Sequence, residues 1–159
     1  MERQQLGEQL WDLRANLLRL ALSITQNAHD AEDAVSAAMV KALQQAEALR
    51  KPDCLKPWAM RITARCCYDQ LRRRKRETPV ECVPETPVLQ SDGELYGLLL
   101  SLPAIYAQVL ILYYYEGFST QEMAAVLRLP RPAVSMRLSR GRKMLKDCLE
   151  KEAAEDESI

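Results

Sequence analysis

The sequence predicts an all-α protein of two small helical domains, residues 1–76 and 93–159, joined by a Pro-rich linker over 77–92. The second domain ends in a helix-turn-helix. Three observations carry this. Leu, Ala and Arg abound while the chain has only 5 Gly and 1 Phe, and no β-branched alternation persists beyond a few residues. Apolar residues recur at helical spacing through most long segments. The stretch ETPVECVPETPVLQSD breaks that period with three prolines, the pattern of a semi-extended connector. A length of 159 residues allows one or two domains, and an apolar share of 48% suffices for a core.

A first helix is expected from about Arg3 to Gln26, with Leu6, Leu10, Leu13, Leu17, Leu20, Ala21 and Ile24 along one stripe. Asn27 suits the cap of a second, from about Ala28 to Leu49. Asp30, Glu32 and Asp33 crowd its first turns, where the helix dipole favours negative charge. Lys51 and Pro52 break it, and Asp53 is placed to cap a third helix over about Cys54 to Arg76. After the connector come a helix from about Gly93 to Ser101 and another starting near Pro103. Gly117 is expected to end that helix in a left-handed conformation. Ser119 and Glu122 have capping-box spacing, so a short helix should follow from about Thr120 to Leu127, with Met123, Ala124 and Leu127 inward. Arg128, Leu129 and Pro130 fill the turn. Pro132 falls in the first turn of the last helix, about Arg131 to Leu149, where a missing amide costs little. The tail EKEAAEDESI reads as a frayed, solubilising end.

That last helix carries Val134, Leu138, Gly141, Leu145 and Cys148 on one side. Ser135, Met136, Ser139, Arg140 and Lys143 project opposite, with Arg131 and Arg137 on the flanks. Its cations Arg131, Arg137, Arg140, Arg142, Lys143 and Lys146 outnumber one acid, Asp147, before residue 149. A capped, tightly turned helix pair whose second member is basic suits a major groove, with phosphate contacts on either side. The third helix offers a second basic surface. Arg61, Arg65, Tyr68 and Arg72 share a face, spaced to follow a phosphate backbone while an aromatic ring stacks a base, and the helix closes on Arg72, Arg73, Arg74, Lys75 and Arg76. Trp58 groups with Leu55 and Ile62 as core.

Other functions find little support. A lone His29, no acid pair beside a basic groove and no phosphate-cradling Gly loop leave no catalytic site, so an enzyme is not expected. Cys54, Cys66, Cys67, Cys82 and Cys148 contain no C-x-x-C pair; no metal and no cofactor are expected, and Cys66 and Cys67 read as packing residues. No apolar run is long enough to span a bilayer and the N-terminus lacks a signal-peptide pattern, so a soluble, cytoplasmic protein without membrane insertion is expected.

Two separated segments resemble one family. Residues 10–76 contain DAEDA at Asp30 to Ala34, PWAMRI at Pro57 to Ile62, then Asp69 and LRRRKR at Leu71 to Arg76. Residues 98–149 contain LPAIYAQVLILYYYEGFSTQEMAAVL and the closing VSMRLSRGRKML. In this order, across a short proline linker, the strings resemble extracytoplasmic-function (ECF) sigma factors, specificity subunits of bacterial RNA polymerase. The resemblance implies an N-terminal domain (sigma region 2-like) that binds polymerase core and opens the minus-ten element, and a C-terminal domain (sigma region 4-like) that reads the minus-thirty-five element. By position it places Arg131, Ser135, Arg137 and Arg140 at the upstream DNA, beside Met136, Ser139 and Lys143 on the same face. It places Arg50, Lys51 and Lys56, with Arg61 and Arg65, near the opened strand, and Asp30 and Asp33 on the polymerase-facing helix. An anti-sigma factor is implied as a further partner. Ser36 and Ala37 stand where the family commonly has Gln and an acid, and Pro130 stands where a hydroxyl cap is common. The alternative from the residues alone is a helix-turn-helix regulator that binds promoter DNA without polymerase core.

Overall fold

A computed structural model describes residues 2–77 and 93–157. Among them are eight α-helices: α1 (Arg3–Asp12), α2 (Arg14–Thr25), α3 (Ala28–Gln44), α4 (Leu55–Glu77), α5 (Gly93–Ser101), α6 (Ala104–Tyr114), α7 (Thr120–Leu127) and α8 (Arg131–Glu157). Two short 3-10 turns, Ala46–Ala48 and Pro52–Cys54, lie between α3 and α4. The fold is all-α, as expected, with no strand among the described residues.

The expected first helix is two. At Leu13 the backbone N–H is shared between the Gln9 carbonyl at 3.2 Å and the Leu10 carbonyl at 3.1 Å. This tightening separates α1 from α2 while Leu13 keeps right-handed helical angles. It lets Leu6 and Leu10 bury against α3, while Leu17, Leu20, Ala21 and Ile24 face α3, α4 and α6. Asn27 caps α3 as read from the sequence, accepting from the Asp30 amide at 3.0 Å. Asp53, expected to cap the third helix, instead sits inside a 3-10 turn that Pro52 opens, and α4 starts two residues later at Leu55. The connector expected over 77–92 lies outside the described residues, except for Glu77, which ends α4.

In the C-terminal half the capping box at Ser119 is complete. The Ser119 hydroxyl accepts from the Glu122 amide at 3.1 Å, and Glu122 accepts from the Ser119 amide at 3.0 Å. Gly117 takes φ +66, the left-handed conformation that a glycine adopts without a Cβ penalty. Arg128, a non-glycine, ends α7 at φ 56. Gly141 lets α8 approach α6, since a Cβ there would meet Leu110 at 3.3 Å. The tail is helical further than expected: α8 continues through Glu157, because Glu, Ala and Lys are strong helix formers and Lys146 and Glu150 have ion-pair spacing.

α6 is buried nearly all round, from Ala107 to Leu112. A helix apolar on every side must be covered on every side. One face meets α5 and α8, and another meets α2. The buried side chains of both halves therefore form one continuous cluster.

Candidate nucleic-acid interface

The turn from α7 to α8 sets the first surface. Met123, Val126 and Leu127 anchor α7, and Val134, Leu138 and Leu145 anchor α8 at helical spacing. Burying that stripe turns the opposite face of α8 to solvent. Arg131, Ser135, Met136, Ser139, Arg140 and Lys143 are exposed, and Arg137 is half-buried. Met136 keeps 51% of its surface open, an apolar tip in the middle of a polar face. Arg142 is held over the Tyr113 ring at 4.3 Å. The guanidiniums at 131 and 140 thus flank short hydroxyls and a thioether, a mixture able to meet phosphates, base edges and a thymine methyl.

The second surface lies on α4 and its approach. Trp58, Ala59, Met60 and Ala64 point into the core, with Thr63 hydroxyl bonded to the Ala59 carbonyl at 2.9 Å. Arg50, Lys51, Arg61, Arg65 and Arg72 are left exposed, and Lys56 and Tyr68 half-buried. Arg72 pairs with Asp69 one turn back. The Tyr68 hydroxyl donates to Gln108 of α6 at 2.7 Å. Burial pushes the Tyr68 phenol up, opposed by the nearby Arg137 guanidinium. Arg61, Arg65, Tyr68, Arg72, Arg74 and Lys75 line a cavity of about 1020 Å³, closed on the far side by Val126, Leu127 and Arg128. The α4 surface therefore faces the end of α7 and the turn before α8 across this cleft, whereas the exposed face of α8 does not line it. Arg128 adds a cation to that cleft. It lies in a turn rather than on a helix face, so periodicity gives no signal for it.

The two acids expected at a polymerase surface part company. Asp30 is buried, its carboxylate 2.8 Å from Arg74, so it ties the start of α3 to the end of α4. Asp33 is exposed, 3.5 Å from His29. Cys66 and Cys67 are buried packing residues. Burial pushes both thiols up, Cys67 to about 12, whereas Cys54 is exposed. No metal-binding cluster occurs among the described residues, and no described helix is long and apolar enough to cross a membrane.

Residues 12–77 match the family model of Sigma-70 region 2, and residues 92–145 match that of Sigma-70, region 4. RNA polymerase sigma factor SigV of Bacillus subtilis is 31% identical over 149 residues, covering 89% of each chain. The chain belongs to the ECF family of RNA polymerase sigma factors. ECF sigma factor SigE of Mycolicibacterium smegmatis is 30% identical over 152 residues, which cover 86% of this chain and 58% of that longer protein. Among solved structures, sigma factor RpoE of Bartonella quintana, in complex with the anti-sigma factor NepR, is 26% identical. It superposes with a TM-score of 0.74 over 90% of this chain and 95% of that one. As a sigma factor the protein serves promoter-specific transcription initiation with RNA polymerase and is not itself an enzyme.

Proposed function

We propose that this sigma factor binds polymerase core and grips promoter DNA at two points through separate domains, residues 1–76 and 93–159, with 77–92 between them. The exposed face of α8, carrying Arg131, Ser135, Met136, Arg137, Ser139, Arg140 and Lys143, reads the minus-thirty-five element from the major groove. Arg50, Lys51, Lys56, Arg61, Arg65, Tyr68 and Arg72 hold the minus-ten element, cations following phosphates and the phenol ring stacking an unpaired base. Unstacking requires roughly a few kcal/mol, and such stacking returns about 1–3 kcal/mol per base. Asp33 faces polymerase directly. Asp30 serves the same surface indirectly, by fixing α3 to α4 through Arg74. The single observation that supports this reading best is the capped helix-turn-helix whose solvent face is cationic.

The protein works in the cytoplasm, where polymerase and chromosome are. The relative solved with an anti-sigma factor supports an inhibitor of that class as a partner here too. The test is reconstituted transcription with core polymerase on a genomic promoter pool. Wild-type protein should co-purify with core and create start sites that core alone does not use. Arg61→Ala with Arg65→Ala should leave co-purification intact and abolish permanganate-reactive thymines downstream. Duplex binding without any effect on polymerase would favour the free-standing regulator instead.

A further inference from the structure

Glu116 is the one acid between Glu94 and Glu122, set at the end of the apolar run LILYYY. Its side chain is fully buried, and among the described residues Asn16, Arg19 and Lys56, all from the other half of the chain, surround its carboxylate. Asn16 of α2 donates to Oε2 at 2.8 Å, and Lys56 Nζ lies 2.6 Å from the same oxygen. Oε1 lies 3.6 Å from Arg19. The flanking residues close over these groups: the Arg19 guanidinium sits 5.3 Å from the Tyr115 ring, and Lys56 Nζ 5.8 Å from the Phe118 ring. Two further bonds cross between the halves. The Tyr96 hydroxyl donates to the Arg19 carbonyl at 2.9 Å, and Tyr68 donates to buried Gln108 at 2.7 Å.

We infer that Glu116 is an intramolecular latch that closes the free sigma factor by occupying, with its carboxylate, the Lys56 cation site that a promoter phosphate takes in the open form. This meaning rests on Lys56 and Tyr68 being downstream-element contacts; the closure itself does not. In the closed form Lys56 serves Glu116, Tyr68 serves Gln108, and Arg61 and Arg65 face α7 and Arg128 across the cleft. A carboxylate and a phosphate diester present the same anionic oxygen to an ammonium, so the latch and DNA exclude each other at this lysine. Distance argues the same way. Elements centred about 25 base pairs apart lie about 85 Å apart along a duplex at about 3.4 Å per pair. A compact chain of this length has a radius of gyration of about 15 Å, hence a breadth of roughly 40 Å. The closed molecule cannot reach both. Opening strips α6 of its cover from α2, so the free protein stays closed and a partner that binds the separated halves opens it.

Closure is tested by scattering on the full chain without polymerase or DNA, and duplex DNA enters only in the affinity readout, so failure of the latch is separable from failure of the promoter reading. Small-angle scattering should give about 15 Å for wild type. Glu116→Lys, which sets an ammonium against Arg19 and Lys56, should raise this above about 20 Å with helical circular dichroism unchanged. Glu116→Gln combined with Tyr68→Phe is the milder variant and decides the matter if the first loses helicity. It should extend the particle too, and its duplex affinity should rise about tenfold as the closed fraction falls. Glu150→Gln, an equal charge change on an exposed face, should leave both readings at wild-type values. An extended wild type overturns the latch. So do variants as compact as wild type, or Glu150→Gln matching their gain in affinity.

Discussion

At the residue scale, environment separates side chains that the sequence treats alike. Arg140 is exposed on the outer face of α8, whereas Arg137 is half-buried and close enough to Tyr68 to influence its titration. Arg140→Ala should therefore weaken promoter selection without affecting polymerase association. A lost bidentate base contact is worth about 1–3 kcal/mol, a drop of about five- to 150-fold in promoter-directed transcripts. Unchanged transcripts would remove Arg140 from the interface. Asp30 and Asp33 form another such pair, one locked to Arg74 and one in solvent. Among the cysteines, Cys67 is held protonated by burial up to about 12, against 9.0 for a free thiol. An acid whose folded value is raised stabilises the fold fully below its unfolded value and loses that contribution as pH climbs toward the folded one. Stability should thus fall between about pH 9 and 12, Cys66 and Tyr68 acting in the same direction. Urea midpoints at pH 8 and pH 10.5 should differ less in Cys67→Ala than in wild type; equal slopes would assign the alkaline loss elsewhere.

At the scale of elements, local chemistry explains most boundaries. Asn27 starts α3, the reciprocal bonds of Ser119 and Glu122 start α7, and Gly117 turns the chain between α6 and α7. These were legible because each depends on groups within a few residues. Ser119→Ala removes one of the reciprocal bonds and should destabilise by about 1 kcal/mol. For a chain of this size the melting temperature should fall by about 2–4 °C, measured by circular dichroism. A larger fall would mean that α7 also anchors the inter-half cleft. The boundaries that were misread depend on distant partners. Apolar period runs straight through Leu13, and the break appears only because α1 and α2 pack on different neighbours. Asp53 has cap chemistry in sequence, but Pro52 starts a 3-10 turn one residue earlier.

At the scale of the whole molecule, the main fact is that two halves separated by a proline-rich stretch share one core. α6 is the reason, since α5 and α8 cover one of its faces and α2 another. Calorimetry of the free protein should accordingly show one unfolding transition, and Glu116→Lys should split it into two. Two transitions in wild type would mean that the halves are energetically independent. Within that largely apolar contact, Glu116 sets one buried carboxylate against two cations, Arg19 and Lys56.

The sequence by itself determined the helical class, the helix-turn-helix with its capping box, the cationic faces of α4 and α8, and the sigma factor family. Each of these is written in periodicity, charge and short-range spacing, which need no knowledge of what lies across the fold. Only the tertiary structure decided that the cationic face of α4 lies across a cleft from the end of α7 and Arg128, that Asp30 turns inward to Arg74, and that Glu116 finds Asn16, Arg19 and Lys56. A buried charge takes its partners from wherever packing brings them, here from 60 to 100 residues away in sequence. No local pattern encodes such a pairing; the lone acid after LILYYY marks only that one is needed.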